Sequence, residues 1–257
     1  MADSKYNVVI LTSGLSGSSV LAGLIARGGY WTGESTHKKP GEYETHENEE
    51  LIRLNRRLFN EAGYAGNYTM EFSSEPFASL KGLQTSIDLQ PYRDFIARCD
   101  QHRPWLWKDP RLWLTIYFWK DLLPLQNCRF VLITRSYFNC WVSQTLRRHI
   151  RSYGSMKRYE QSVRESLTAF LAANGLQYLR LTYEDLIGKP EPSINALNSF
   201  IGASLTPKDL AEIYSQPLNK APNSSAPDLV KAVAIYLKNY SGRFDLVEKA
   251  RAASAGR

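Results

Sequence analysis

The sequence has little cysteine and no long apolar run. Its 257 residues include three cysteines, Cys99, Cys128 and Cys140, and their spacing matches neither a C-x-x-C pair nor a cysteine–histidine metal motif. A disulfide framework and a zinc site are therefore not indicated, and we expect reduced, packed thiols. No apolar run approaches the ~20 residues needed to span a bilayer, and Val8 to Leu11 is too short for a signal-peptide core. The sequence predicts a cytoplasmic protein without a transmembrane segment.

The composition is that of an ordinary globular protein, with 43% hydrophobic and 22% charged residues. A formal net charge of +7 suits an anionic ligand, although it suits simple solubility equally well. The basic residues are scattered and form no nucleic-acid recognition motif, so no nucleic-acid partner is predicted. No repeat, low-complexity tract or clear linker divides the chain. We predict a single domain over residues 1–257.

A glycine- and serine-rich turn near the amino terminus lacks one expected residue. The apolar strand Asn7 to Thr12 leads into the turn Ser13 to Ser19, and the helical pattern Val20 to Ala26 follows. Such a turn can bind phosphate, because its backbone N–H groups and the positive end of the helix converge. A nucleotide triphosphatase loop has the pattern G-x-x-x-x-G-K-[ST], yet no lysine follows Gly17. The turn therefore predicts a phosphate site without that lysine, although similar turns also occur without a ligand.

Charged residues follow two later strands. Strands are predicted at residues 105–108, 128–134 and 178–182, and the helices between them indicate a parallel sheet with right-handed crossovers. Ligands of such sheets collect at the carboxyl ends of the strands, so Lys108 and Arg135 should meet the same crevice as the turn. Ser143 follows Arg135 by eight residues on the next helix. A guanidinium group with a hydroxyl suits a phosphate monoester.

Helical spacing of apolar residues and turn signals locate the remaining elements. The predicted helices cover residues 47–59, 91–99, 111–123, 137–149, 159–174, 193–201 and 228–237. Asp109 is predicted to cap the helix that starts at Arg111. Residues 60–87 stay unassigned, and Pro217 to Pro227 is predicted to form a surface loop.

Several blocks of the chain occur in the order typical of one protein family. The blocks are Gly14–Ser19, His46–Asn55, Trp107–Arg111, Arg129–Arg135 with Ser143, and Tyr183–Leu186. Together they resemble the sulfotransferases that use 3′-phosphoadenosine 5′-phosphosulfate (PAPS), in particular the bacterial and Golgi-type members. The resemblance covers about residues 7–203 and leaves a helical extension at 204–257. It implies an α/β fold, with a central parallel sheet flanked by helices in the topology of P-loop-containing nucleoside triphosphate hydrolases.

The resemblance also implies a reaction and a donor site. The reaction would move a sulfuryl group from PAPS to an acceptor hydroxyl or amine, leave adenosine 3′,5′-bisphosphate, and need no metal. The residues implied in donor binding are Gly14, Leu15, Ser16, Gly17, Ser18 and Ser19 at the 5′-phosphosulfate, Arg135 and Ser143 at the 3′-phosphate, and Tyr183. The acceptor would be a small molecule or a carbohydrate. Residues 60–90 and the 217–227 loop are expected to shape its pocket.

Three residues are candidates for the chemistry itself. Glu47 is the predicted base, because the corresponding glutamate of the family lies near the acceptor. His46 competes with it, since imidazole accepts a proton near neutral pH. Glu44 and Glu50 are also available as bases, and a solvated, glutamate-rich helix start would explain the whole segment without catalysis. Lys108 is expected to stabilise the leaving group.

Leu15 departs from the family pattern, which has arginine or lysine at this position. A leucine supplies no charge, so Lys108 and the N–H groups of the loop would have to stabilise the transferred group. Two alternatives therefore stay open. One is a non-catalytic homologue that binds the nucleotide; the other is a nucleotide or adenylylsulfate kinase, whose loops also begin G-L-S-G but continue to a lysine.

Overall fold

The computed structural model describes residues 6–38, 44–213 and 223–239. Its strands are β1 (Asn7–Leu11), β2 (Thr36–Lys38), β3 (Glu44–Asn48), β4 (Leu106–Lys108), β5 (Cys128–Thr134) and β6 (Tyr178–Thr182). The central sheet has the order β4-β1-β5-β6 and all its neighbours are parallel. A single bridge between Trp31 and Trp105 continues the parallel pairing beyond β4. Strands β2 and β3 form a separate antiparallel pair.

The register of the central sheet brings its polar strand ends to one edge. Ile10 of β1 pairs with Lys108 on one side and with Val131 on the other. Thr134, the last residue of β5, pairs with Thr182, the last residue of β6. Residues that follow these strands therefore emerge together, at the edge where open α/β sheets bind ligands.

Helices cover both faces of the sheet. They are α1 (Ser18–Arg27), α2 (Glu49–Glu61), α3 (Glu75–Gly82), α4 (Gln90–Gln101), α5 (Leu112–Trp119), α6 (Tyr137–Leu146), α7 (Tyr153–Ala173), α8 (Tyr183–Gly188), α9 (Pro190–Ile201), α10 (Pro207–Ile213) and α11 (226–239). Short 3₁₀ turns lie at Leu83–Thr85 and Leu125–Asn127. None of the helices in the described part of the chain is long and apolar enough to cross a membrane.

The alternation of β1 side chains divides the core into two layers. Val9 and Leu11 pack with residues of α2, α4, α5 and α7, whereas Val8 and Ile10 pack with residues of α1, α9 and α10. All of these β1 side chains are fully buried, as expected for a parallel strand covered on both faces. The predicted central parallel sheet flanked by helices is thus confirmed.

The sequence predicted the long central strands better than the ends of the helices. Strands β5 and β6 have the predicted bounds, and α11 contains the predicted helix at 228–237. The helix predicted from Glu47 begins instead at Glu49, because Asn48 accepts hydrogen bonds from the N–H groups of Glu50 and Leu51 and so caps it. Glu47 lies in β3, and the helix-start explanation does not apply to it.

Other predicted bounds also differ. The helix expected over 111–123 ends as a regular α-helix at Trp119, and α7 begins at Tyr153 rather than at 159 because Ser152 caps it. Residues 60–87 contain α3, which the sequence left unassigned. Of the predicted extension at 204–257, residues 214–222 and 240–257 lie outside the described residues. The predicted loop at 217–227 is therefore described only from residue 223 onward.

The three cysteines are buried and unpaired, as the sequence predicted. Burial raises the pKa of the Cys99 and Cys128 thiols to about 12 and raises that of Cys140 as well. A thiol becomes nucleophilic only as a thiolate, so these residues serve packing.

Candidate functional site

The turn between β1 and α1 has an unusual backbone conformation. Gly14, Leu15 and Gly17 all have positive φ, with values of 90°, 53° and 85°. A Cβ atom on Gly17 would lie 2.0 Å from the ring of Tyr183, so this position requires glycine. The backbone N–H groups of the first turn of α1 start here, where a helix has no internal partners for them. The geometry is that of a tight turn around a helix amino terminus, which suits an anion.

The turn forms one wall of a cavity of about 610 Å³ at the carboxyl edge of the sheet. Among the predicted site residues, the cavity brings together Gly14, Leu15, Gly17, Ser18, Ser19, Glu47, Lys108, Arg135, Ser143 and Tyr183. Its remaining lining includes the side chains of Thr45, Tyr68, Thr69, Arg111 and Gln144. Its volume falls within the range of about 300–1,000 Å³ that is usual for ligand sites.

Two predicted residues lie outside this lining. The hydroxyl of Ser16 is buried and hydrogen-bonds the hydroxyl of Thr12, so it stabilises the turn from within. His46 lies beside α1, where a methyl group on Gly23 would come within 3.0 Å of its Nε2 atom. Burial lowers the pKa of His46, with the nearby Lys108 charge adding to this and Glu44 opposing it. The placement of His46 favours a structural role over that of the base.

Lys108 and Glu47 form an ion pair inside the cavity. The Lys108 side chain is 2% exposed, and its Nζ donates hydrogen bonds to Glu47 Oε1 at 2.5 Å and to Ser19 Oγ at 3.0 Å. The Glu47 side chain is 13% exposed, so the carboxylate retains access to the cavity. One ammonium group thus connects the predicted base to the turn between β1 and α1.

Arg135 is buried with unused hydrogen-bonding capacity. It follows β5, and its guanidinium carbon lies 4.6 Å from the centre of the Tyr183 ring. Its Nε atom is 4.0 Å from Glu184 Oε1, too far for a hydrogen bond. Within the described residues, neither Nε nor Nη2 of Arg135 has a hydrogen-bond partner. Buried donors without an acceptor lower the stability of the folded protein. The environment of Arg135 therefore fits a bound phosphate whose oxygens accept from the guanidinium group.

The part of the cavity lining around Tyr68 was not foreseen from the sequence. Tyr68 lies in the irregular segment between α2 and α3, where no periodic pattern marks it. Its carbonyl oxygen accepts hydrogen bonds from Trp113 Nε1 at 3.0 Å and from the Tyr159 hydroxyl at 2.8 Å. The guanidinium carbon of Arg111 lies 4.8 Å from the centre of the Tyr68 ring. These contacts hold an aromatic residue firmly beside the cavity.

Asp109 stabilises the position of Arg111, the residue that contacts the Tyr68 ring. Its carboxylate is completely buried and accepts from the backbone N–H and Nη1 of Arg111, each at 2.9 Å, and from Asn55 Nδ2 at 2.9 Å. Burial raises the pKa of Asp109, while Arg111 opposes this effect. The predicted capping role of Asp109 is wrong: α5 begins at Leu112, its N-cap is Arg111, and no side chain caps it. Asp109 instead holds Arg111 in place through the two hydrogen bonds that it accepts from that residue. In residues 6–38, 44–213 and 223–239, no three acidic, histidine or cysteine side chains are grouped so that they could bind a metal ion.

Comparisons with known proteins find a matching family and solved structures of the same fold. A model described as the sulfotransferase family matches residues 8–207. The sulfotransferase domain from the curacin biosynthetic pathway aligns over 86% of this chain and 81% of its own, with 15% identity and a TM-score of 0.51. The sulfotransferase domain of the Synechococcus PCC 7002 olefin synthase aligns over 89% and 84%, with 19% identity and a TM-score of 0.51. Both share the fold; no curated protein gives a significant match.

Proposed function

This chain belongs to the sulfotransferase family, and from that premise we propose that it transfers a sulfuryl group from PAPS to an acceptor hydroxyl or amine. The observation that carries the proposal is the meeting of the turn, the Lys108–Glu47 pair and Arg135 in one cavity. PAPS has two charged groups that must be bound, the 3′-phosphate and the 5′-phosphosulfate, and one sulfuryl group that is transferred. The cavity offers a separate part for each of these tasks.

The donor nucleotide would be held at two points. The backbone of Gly14 to Ser19, with the hydroxyls of Ser18 and Ser19, would bind the 5′-phosphosulfate, consistent with anion binding at a helix amino terminus. Arg135 and Ser143 would bind the 3′-phosphate, since the unused donors of Arg135 call for an acceptor. When bound, PAPS supplies a sulfuryl group activated by its anhydride link to phosphate.

Glu47 would take the proton from the acceptor. Its carboxylate reaches the cavity and is oriented by the ion pair with Lys108. A positioned base contributes about 10²–10⁴ in rate. When Glu47 becomes neutral on accepting the proton, the Lys108 ammonium loses its counter-charge within the cavity. It is then available to stabilise negative charge near Ser19, its other hydrogen-bond partner. The pair would thereby couple proton removal to charge stabilisation.

Leu15 favours a second candidate function. The residue lines the cavity where the family has a cation, and it contributes no charge. Loss of one preorganised charge-stabilising group typically lowers the rate by about 10²–10³. A protein with the same site could bind the nucleotide without transferring sulfate. The kinase alternative has less support, because no lysine follows Gly17.

Two measurements separate these functions. Thermal unfolding is recorded with adenosine 3′,5′-bisphosphate and, separately, with ATP and magnesium, since a ligand that binds the native state raises the midpoint. Transfer of labelled sulfate from PAPS to a panel of sugars, phenols and amines is then followed. Stabilisation by the bisphosphate with labelled product supports the sulfotransferase. Stabilisation without product supports the binding protein, and a shift with ATP alone rules out both.

A further inference from the structure

A fully buried carboxylate, that of Glu160, contacts two residues that line the cavity, Ser13 and Gln144. Glu160 of α7 is 0% exposed and does not line the cavity. Its Oε2 accepts a hydrogen bond from Ser13 Oγ at 2.5 Å, and its Oε1 accepts one from Gln144 Nε2 at 3.3 Å. Ser13 begins the phosphate-binding turn, and Gln144 is adjacent to Ser143 on α6. One side chain therefore joins the two elements that would hold opposite ends of the nucleotide.

Arg164, one helical turn after Glu160, extends this connection to a third element. Its Nη2 atom lies 3.9 Å from Glu160 Oε2 and donates a hydrogen bond to the carbonyl oxygen of Arg135. Glu160 and Arg164 thus contact, from one helix, the turn, α6 and the end of β5. These are the segments that carry the predicted contacts to both phosphates of the donor.

Hydrogen bonds from α7 and from the segment before it reinforce the same elements. The Tyr159 hydroxyl shares its one proton between two carbonyl oxygens, that of Ser13 at 2.9 Å and that of Tyr68 at 2.8 Å. Arg151 Nε donates to Gln144 Oε1 at 3.0 Å, so both polar atoms of that amide are engaged. Ser13 is therefore held through both its carbonyl oxygen and its hydroxyl, and Gln144 through both polar atoms of its amide.

Stability alone does not explain a carboxylate at this position. Burial raises the pKa of Glu160, because the charged form loses its hydration. Buried ion-pair networks can be replaced by apolar side chains of similar volume with little loss of stability. Their best-supported use is to select one arrangement of the elements around them. Here the arrangement selected is the distance between the turn and α6.

We propose that Glu160 is a positioning residue for the donor site, which holds the turn and α6 at the separation that the nucleotide requires. The identity of the ligand rests on the proposed function, whereas the hydrogen bonds that join Glu160 to Ser13 and Gln144 do not. Without the carboxylate, Ser13 and Gln144 lose their shared acceptor. Nucleotide binding must then supply the ordering that Glu160 provides beforehand.

The test compares five variants with the wild-type protein. Glu160→Ala removes both hydrogen bonds, and Glu160→Gln keeps the shape and one acceptor oxygen. Ser13→Ala removes one contact from the other side, and Ser13→Ala with Glu160→Gln completes a double-mutant cycle. Glu165→Gln is the matched control, because this carboxylate is on the same helix, is exposed, and accepts a hydrogen bond from Gln161.

The first measurement is the dissociation constant of adenosine 3′,5′-bisphosphate by calorimetry. We expect Glu160→Ala to raise it by roughly tenfold, as for the loss of a hydrogen bond to a charged group. Glu160→Gln should raise it less, and Glu165→Gln by no more than about twofold. The effects of Ser13→Ala and Glu160→Gln should fall short of additivity. Additive effects, or a Glu160→Ala value within about twofold of wild type, overturn the proposal.

The second measurement is amide hydrogen exchange without ligand, which applies even if Glu160→Ala lowers the overall stability. Exchange should increase in residues 13–19 and 136–146 relative to the core strands of the same variant. A uniform increase over the whole chain contradicts a positioning role. If wild type binds ATP instead of the bisphosphate, the proposed function fails. The double-mutant cycle is then repeated with ATP, so that the positioning role of Glu160 is still tested separately from the proposed function.

Discussion

The Nζ atom of Lys108 lies 2.5 Å from Oε1 of Glu47, which joins the end of β4 to the end of β3. Both groups are largely removed from water, and removing either one leaves a buried charge without its partner. The resulting loss of stability is larger than the net contribution of the ion pair to stability. The roles of the two residues are therefore best separated by comparing rate with donor affinity, rather than by the size of either loss.

Replacing Lys108 should lower the rate much more than the donor affinity. For Lys108→Ala we expect kcat to fall by about 10²–10³, the usual effect of losing one preorganised charge-stabilising group. The dissociation constant of the bisphosphate should rise no more than about threefold, because the predicted phosphate contacts are made elsewhere. Lys120→Ala, which removes a surface ion pair with Asp121, is the control. An unchanged kcat would exclude Lys108 from the mechanism.

Glu47 and His46 are adjacent in sequence but should differ in effect. Glu47→Gln keeps the shape of the side chain and removes the basic oxygen, so kcat should fall by about 10²–10⁴. His46→Gln should leave kcat within about threefold of wild type, because the ring lies against α1 outside the cavity. Steady-state kinetics of both variants with one acceptor decides the assignment. A large loss in His46→Gln alone would make the histidine the base.

A cation at position 15 should raise turnover. Leu15 already has a φ of 53°, so Leu15→Arg introduces no new backbone requirement. We expect at least about a tenfold gain in sulfate transfer or in slow hydrolysis of PAPS, in line with the effect of one added charge-stabilising group. Leu15→Gln is the matched control, since it adds length and polarity without charge. No gain from arginine would mean that Lys108 already supplies the charge.

The sequence predicted the site best where the chain is regular. β5 and β6 have the predicted bounds, and their ends bring Arg135 and Tyr183 to one edge of the sheet. The position of Lys108 at the same edge follows from the same principle, because Lys108 ends β4, which pairs in parallel with β1. Strand ends in a parallel sheet thus carry positional information that a single sequence reveals.

Tertiary contacts determine what the sequence did not predict. Glu47 precedes a helical pattern, but the pairing of β2 with β3 and the Asn48 cap exclude it from the helix. Tyr68 is fixed by donors from Trp113 and Tyr159, which are distant in sequence. Glu160 lies on the buried face of α7 with Met156 and Val163, where a carboxylate is unusual. Its burial arises from the packing of α6 against α7.

The titration of His46 should affect stability in the acidic range. Burial lowers its pKa below the ordinary value of 6.5, so the unfolded chain binds the proton more tightly than the folded one. The contribution of His46 is complete above pH 6.5 and is lost as the pH falls through the folded-state pKa. We therefore expect His46→Gln to lose less stability than wild type between pH 7 and about pH 5. Urea unfolding at several pH values measures this, and parallel profiles would contradict it.

Arg135 should show opposite effects on stability and on binding. Arg135→Met fills a similar volume and removes a buried guanidinium group whose Nε and Nη2 atoms have no hydrogen-bond partner in the described part of the chain. The free energy of unfolding without nucleotide should stay constant or rise by up to about 1 kcal/mol, because two buried donors without an acceptor are removed.

The same substitution should weaken binding of the bisphosphate by at least about tenfold, since a charge-assisted contact to phosphate is lost. Arg129→Met is the matched control: Arg129 lies on the same strand, near its amino end, and its guanidinium carbon is 3.4 Å from the centre of the Tyr6 ring. Unfolding by urea with and without nucleotide gives both quantities in one series. A variant that loses stability but keeps its affinity would assign Arg135 to the architecture of the sheet edge, and the 3′-phosphate would then require another cation of the cavity.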